Sequence, residues 1–139
     1  MSIVVKKVIE RLDSKKVFVE AEHNDNLLHA FLVDDTDVET YLNTEVSFEM
    51  DYKGIIDWLM IEDFDEWESG LFERNGNIVV KGKAHNLLDV ERDTIIDIYI
   101  MNGPEFISIL SSEINSIIPK IDQGIEVEIN GLCIYPVHY

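Results

Sequence analysis

Cysteine is almost absent from the chain, since Cys133 is the only one among 139 residues. A single thiol excludes an intramolecular disulfide, the usual support of small secreted domains. The first residues lack the apolar run and small-residue cleavage site of a signal peptide. No window approaches the roughly 18 apolar residues of a membrane span. We therefore expect a cytoplasmic protein with a reduced thiol.

Basic residues are also scarce. The chain has 11 Lys and Arg against 28 Asp and Glu, a formal net charge of −17. Nucleic acids and anionic membranes are bound mainly through Lys and Arg, so this charge predicts no direct nucleic-acid contact and no membrane contact. It favours a basic protein partner. The alternative is that the charge only keeps the protein soluble and monomeric.

The sequence motifs of catalysis and cofactor binding are missing too. The chain has no GxSxG elbow, no phosphate-binding glycine-rich loop and no dinucleotide fingerprint. Its four histidines lack the i, i+4 spacing of a helical metal site. We predict no metal, no cofactor and no catalytic residue. The alternative is an enzyme with convergent carboxylates, because such pairs meet in space rather than in sequence.

One acidic run superficially resembles the spacing of a calcium-binding loop: Asp34, Asp35, Asp37 and Glu39. It lacks the glycine of the sharp turn and the glutamate that completes a bidentate ligand. Capping of a short helix over 36–42, by Thr36 or Asp37, is the better interpretation.

What the chain does have is period-two alternation of apolar and polar residues, typical of strands with one buried face. The pattern is clear over 44–52 and 125–129, and it also holds over 16–22 except that Phe18 shares the polar face with Glu20 and Glu22. With 46 % hydrophobic residues, the chain can form one core. We predict a mainly β (α+β) single domain over 1–139. About ten short, mostly antiparallel strands would form a curved sheet, a sandwich or a partly open barrel.

Two Asn-Gly pairs predict tight turns, because both residue types tolerate positive φ. Asn75-Gly76 follows a strand predicted over 70–74, and Asn130-Gly131 follows the strand over 125–129. Each pair is expected to begin a β-hairpin.

One principal helix is predicted over 104–118. Pro104 suits its first turn, and Pro119 ends it because proline disfavours helical geometry in the residue before it. Five apolar residues follow helical spacing on one face: Phe106, Ile107, Leu110, Ile114 and Ile117. The helix is expected to cover one opening of the sheet.

The two halves of the chain share short sequence similarities. Glu10-Arg11 and Glu73-Arg74 each precede an alternating strand, and His23-Asn24 and His85-Asn86 each precede a Leu-Leu pair. One interpretation is a divergent internal duplication in which two half-repeats share a core, 1–68 and 69–139. The other is chance reuse of hairpins and valine-rich strands.

The densest feature is an acidic segment over 57–68 that has three aromatic residues and no basic residue. Its candidate partner-binding residues are Asp57, Trp58, Glu62, Asp63, Phe64, Asp65, Glu66, Trp67 and Glu68. Crowded carboxylates repel one another and gain when a basic surface neutralises them, while tryptophan supplies anchor area. The alternative is structural, with Trp58 and Phe64 in the core, Trp67 at a strand end and the charges along an exposed turn.

These observations favour an acidic protein-binding or inhibitory protein. The most concrete form is a bacterial immunity protein that neutralises a cationic toxin such as a nuclease, since a nuclease presents positive charge to phosphate. An exposed strand edge would also allow pairing with a second copy. The alternatives are an enzyme and an OB-like or barrel ligand-binding module. The module would be favoured by a stacking platform of Phe18 and Tyr52 beside Lys81 and Lys83.

Overall fold

The computed structural model describes residues 3–34, 37–100 and 106–137, and the chain is mainly β, as predicted. The strands are β1 (Ile3–Arg11), β2 (Lys16–His23), β3 (Asn26–Val33), β4 (Glu45–Val46), β5 (Phe48–Asp51), β6 (Gly54–Ile61), β7 (Gly70–Arg74), β8 (Asn77–Val90), β9 (Asp93–Tyr99), β10 (Phe106–Leu110), β11 (Gln123–Asn130) and β12 (Cys133–Pro136). Short 3₁₀ helices form over Val38–Tyr41, Glu66–Glu68 and Ser111–Ile114.

The strands form two sheets that share one core. The first has the order β4-β1-β2-β3-β12-β5, and the second has β10-β9-β8-β11-β6, with β7 also paired to β8. Within the described ranges, the strand pairs are antiparallel except β3 with β12. Val19 and Leu28 of the first sheet join Val80, Ile98 and Val127 of the second in the core. The prediction of a mainly antiparallel β-structure is therefore confirmed.

The second sheet is one continuous stretch, 54–130, inserted between β5 and β12 of the first. The chain enters it after Lys53 and leaves it at Asn130-Gly131. These crossings are adjacent, because the Lys53 amide donates to the Asn130 carbonyl at 3.0 Å. The internal duplication stays a prediction.

The alternation over 16–22 lies in β2, where Val17, Val19 and Ala21 are buried. The strand predicted over 44–52 is not continuous, since it breaks at Ser47 into β4 and β5. The break occurs because the chain changes partner, from β1 to β12. β4 and β5 are separated by one residue in the chain, yet they lie at opposite edges of the first sheet. The sheet must therefore curl strongly to bring its two edges together.

The predicted helix over 104–118 is wrong. Within it, Phe106–Leu110 forms strand β10, and only Ser111–Ile114 is helical, as a single 3₁₀ turn. Burial in β10 alternates with period two, because Ile107 and Ile109 face the core while pairing with β9. Pro104 lies outside the described residues. The shorter prediction over 36–42 corresponds to the 3₁₀ helix Val38–Tyr41, where the Asp37 carboxylate accepts from the Glu39 amide at 3.3 Å.

The two Asn-Gly turns differ in outcome. Asn75 and Gly76 have φ of 52° and 81° and join β7 to β8 as a paired hairpin, as predicted. Gly131 also has positive φ, at 66°, but the second hairpin is wrong. β11 pairs with β6 and β8, whereas β12 pairs with β3 and β5, so this turn carries the chain between sheets.

Candidate protein-binding surface

Strand β6 supplies the first part of the acidic segment and ends the second sheet. One of its edges pairs with β11, and the other has no strand partner in the described ranges. Because β-strand side chains alternate, Trp58 and Met60 pack against the core while Asp57 and Leu59 point away from it. Leu59 is 46 % exposed, so the outer face of this edge is partly apolar.

After β6 the chain turns back over its own sheet at Phe64. Asp63 adopts a left-handed φ of 51°, which reverses the chain. The Phe64 side chain then packs against the Gly124 position of β11, where an added Cβ would lie only 2.3 Å from the Phe64 Cβ. Glycine is thus needed at 124 for the loop to anchor on the sheet.

The 3₁₀ helix Glu66–Glu68 presents Trp67 to solvent. The Asp65 carboxylate accepts from the Trp67 amide at 3.0 Å and caps the turn. The Trp67 side chain is 80 % exposed, the highest value among the exposed large hydrophobic residues of the described ranges. An indole held in water by a capped turn is available for burial by another surface.

Most carboxylates around Trp67 lack a cationic partner. Among the acidic residues of 57–68, the only one that forms an ion pair within the described residues is Glu66, whose carboxylate bonds the Lys83 ammonium of β8. This hydrogen bond raises the pKa of Lys83 above its ordinary value. The exposed carboxylates that form no such pair there are Asp57, Glu62, Asp63, Asp65 and Glu68. We call these five carboxylates and Trp67 the acidic patch.

The three aromatic side chains of the segment have different environments. Trp58 packs on the core and Phe64 is half-buried on β11, whereas only Trp67 projects into solvent. The structure thus supplies one exposed aromatic anchor within the segment, with Glu66 and Glu68 as its neighbours in the chain.

A polar pocket of about 320 Å³ lies beside the patch, and no sequence pattern predicted it. Lys83 and His85 line it from β8, Tyr99 from β9, Glu66 from the 3₁₀ helix Glu66–Glu68 and Asp122 from the turn before β11. His85 Nδ1 lies 3.7 Å from an Asp122 carboxylate oxygen, and its ring contacts Tyr99 edge-on. Apart from Lys83 and His85, these residues are far apart in the chain, so no local spacing could have grouped the whole set.

The described residues contain no group of three or more His, Cys, Asp or Glu side chains placed to hold a metal ion. The acidic patch presents exposed carboxylates beside an exposed indole ring. Such a surface suits Arg and Lys side chains, which pair with carboxylates and stack on indole rings.

The residues proposed for an OB-like stacking platform do not meet. Phe18 lies on the outer face of the first sheet, but Tyr52 packs against the core and donates its hydroxyl to Glu113. Burial and this bond raise the pKa of Tyr52 above its ordinary value. Lys81 and Lys83 belong to the second sheet. The aromatic neighbours of Phe18 are instead His29 and Phe31.

Gly124→Ala tests how the loop is anchored. We expect the free energy of unfolding to fall by about 1–3 kcal/mol, because the new methyl group collides with Phe64. Chemical denaturation measures this difference. Gly54→Ala is the matched control, since its Cβ would meet only a side-chain oxygen of Asn130, at 3.2 Å. Equal stability of the two variants would show that Phe64 does not pack on β11.

The fold and this surface define a two-sheet β-domain whose second sheet, with the loop that follows β6, carries the acidic patch. In the described ranges no helix has the length and apolar character needed to cross a membrane. Comparison of the chain with protein-family models, curated proteins and solved structures finds no match in any of the three.

Proposed function

We propose that the chain is an acidic protein-binding or inhibitory protein, most concretely an immunity protein that neutralises a cationic toxin such as a nuclease. One observation carries this proposal. Trp67 is 80 % exposed and belongs to a segment in which five exposed carboxylates form no ion pair in the described part of the chain. Protein interfaces concentrate their binding energy in such aromatic anchors.

The charge of the chain supports a basic partner. At −17, the molecule repels other anions and attracts cationic surfaces over several ångströms. Carboxylates at the patch would steer a basic protein towards Trp67 and pair with its Lys and Arg on contact. A nuclease fits, because its substrate site must itself be positive.

The position of the patch supports a protein rather than a small ligand. Asp57 and Leu59 lie on an end strand with an unpaired edge in the described ranges, and Trp67 projects from the adjoining turn. Together they offer a broad outer surface, which suits the extended contact area of a protein partner.

Co-expression with the neighbouring gene tests the proposal. Expression of the neighbour alone should arrest growth, and co-expression of this chain should restore it. The purified chain should also inhibit nucleic-acid cleavage by the neighbour's product, less strongly as salt is raised. Growth arrest that the chain does not relieve would contradict the proposal, and so would a neighbour with no toxicity.

Charge reversal within the patch should weaken association without harming the fold. We expect Glu62→Lys with Glu68→Lys to lower the association rate constant by about tenfold or more at low salt, because steering depends on local charge. Stopped-flow mixing with the neighbour's product measures this rate. Unfolding midpoints should change little, since exposed charges contribute little to stability.

The control places the same substitutions elsewhere. Glu10 and Glu49 are exposed on β1 and β5, so Glu10→Lys with Glu49→Lys changes the net charge by the same amount. If both double variants slow association equally, only total charge matters and the patch has no role. Glu66 is left unchanged because lysine there would face Lys83.

A further inference from the structure

The outer face of β2 and β3 carries aromatic rings in a chain whose surface is otherwise acidic. Phe18 pairs with Phe31 across the two strands, with ring centroids 5.1 Å apart. His29 stacks beside Phe18 at 5.8 Å, with 18° between the ring planes. The three rings are half-buried, so one side of the group remains open to solvent.

A cleft of about 530 Å³ opens beside these rings. Ile78 and Leu132 add apolar surface to it, while the side chains of Asn77 and Asn130 lie at its margins. This volume is within the range of small-molecule sites, which combine apolar walls with a few hydrogen-bonding groups. The cleft is separate from the acidic patch, because none of the patch residues lines it.

The ring of His29 is held in place by an acid. Its Nδ1 lies 3.0 Å from both carboxylate oxygens of Glu73, which comes from β7 of the other sheet. The Nδ1–H group donates to this carboxylate, which fixes the ring plane parallel to Phe18. The wall of the cleft is therefore pre-organised for a flat ligand.

Two lysines converge on the third ring. The ammonium of Lys16 lies 4.7 Å from the Phe31 centroid and that of Lys53 lies 5.0 Å from it. Neither lysine forms an ion pair among the described residues, although the chain has 28 acidic residues. Both positive charges lie near Phe31, which lines the cleft, so an anion bound at that end of the cleft would be attracted by both.

We propose that this cleft binds a small planar aromatic anion. Its ring lies against Phe18 and His29, and its phosphate or carboxylate lies at the Phe31 end of the cleft, within reach of the Lys16 and Lys53 ammonium groups, which contact Phe31 from outside the cleft lining. A nucleic-acid strand does not fit this chemistry, because each further phosphate would face a surface of net charge −17. The ammonium groups of Lys16 and Lys53 can together neutralise a single acidic group on the ligand.

Titration of the ¹⁵N-labelled chain at low salt tests the proposal, with 5′-AMP and benzoate as the two sources of aromatic anion. Adenosine, inorganic phosphate and a tetranucleotide are the comparison ligands. At least one aromatic anion should shift cleft amides and bind about tenfold more tightly than adenosine or phosphate, because both halves of the ligand contribute. A response to AMP alone assigns a phosphate ligand, and a response to benzoate as well assigns carboxylates too.

Charge-removing variants locate the site. We expect Lys16→Met and Lys53→Met each to weaken binding of the aromatic anion by about tenfold, since a charge-assisted contact is lost. Adenosine binding should not change. Lys120→Met, at an exposed position outside the cleft, should behave as the unmodified chain.

Three results would overturn the proposal. The first is no shift of cleft amides with either anion at millimolar concentration. The second is equal binding of the anion by the unmodified chain and both lysine variants, which would leave the lysines a structural role only. The third is tighter binding of the tetranucleotide than of AMP, which would indicate a strand-binding groove. Each result leaves the acidic patch untouched, so the two proposals fail separately.

Discussion

Trp67→Ala is expected to weaken binding to the neighbour's product by about 30-fold or more, because truncation of an interface tryptophan removes a dominant share of the binding energy. Its side chain is 80 % exposed in the free chain, so little folding energy is lost. The thermal unfolding midpoint should therefore stay within the error of the measurement. Calorimetric titration and thermal scans of the same samples measure the two quantities.

Trp58→Ala is the matched control, since the same substitution falls on the same acidic segment but at a side chain that faces the core from β6. Trp58 packs against the core, so its loss should lower the free energy of unfolding by about 2–4 kcal/mol. Binding, measured where this variant is still folded, should fall much less than for Trp67→Ala. If Trp67→Ala binds as tightly as the unmodified chain, the exposed indole is not an anchor.

His23→Leu is expected to stabilise the chain, and increasingly so as the pH falls. His23 is 2 % exposed at the end of β2, and neither ring nitrogen has a hydrogen-bond partner in the described ranges. Burial lowers the pKa of His23 to about 4 from an ordinary value of 6.5. Near neutral pH the gain comes from removing an unsatisfied polar group, about 1–3 kcal/mol.

The pH dependence follows from proton uptake by the unfolded chain. Between pH 6.5 and 4 the unfolded histidine is protonated and the folded one is not, so the free energy of unfolding falls as pH falls. The decrease amounts to about 3 kcal/mol over the whole window. The leucine variant lacks this contribution. Denaturant titrations from neutral pH down to about pH 4.5 measure the difference between the two proteins.

The titrations stop at about pH 4.5 so that protonation of a second group, Asp93, does not affect the measured stability. Hydrogen bonds from Ser111 and Ser112 hold the pKa of Asp93 below its ordinary value of 3.8, so its contribution is lost only at lower pH. His85→Leu is the control, because His85 is exposed. If the stability difference between His23→Leu and the unmodified chain does not change with pH, His23 is not buried in the neutral form.

The strands could be predicted from sequence where burial follows a simple period. In β2, apolar and polar residues alternate and the inward set is buried. The segment over 104–118 was ambiguous, because its apolar residues match both a period of 3.6 and, at Ile107 and Ile109, a period of 2. Pairing with β9 makes residues 106–110 a strand rather than a helix, and the local sequence does not reveal that pairing partner. Tertiary contacts overrode local propensity here.

Turn chemistry was likewise only half informative. Asn-Gly predicts where the chain reverses, because both residues accept positive φ. It does not predict whether the flanking strands pair with each other. At Asn75-Gly76 they do, and at Asn130-Gly131 they enter different sheets.

The acidic segment was visible in the sequence, but its exposure was not. Alternation in β6 turns Trp58 inward, and a capped 3₁₀ turn leaves Trp67 in solvent, which depends on the Asp65 hydrogen bond. Other contacts bring together residues that are distant in the chain. Lys83 pairs with Glu66, and Lys16 and Lys53 both contact Phe31. Such groupings arise from topology, which no local pattern encodes.

The central claim is that a basic protein docks on the acidic patch. Hydrogen–deuterium exchange of the chain, alone and with the neighbour's product, tests it most directly. The account predicts slowed exchange in β6 and over 62–68, with little change on the outer face of β2 and β3. Slowed exchange confined to β2 and β3, or to any surface without Trp67, would contradict it.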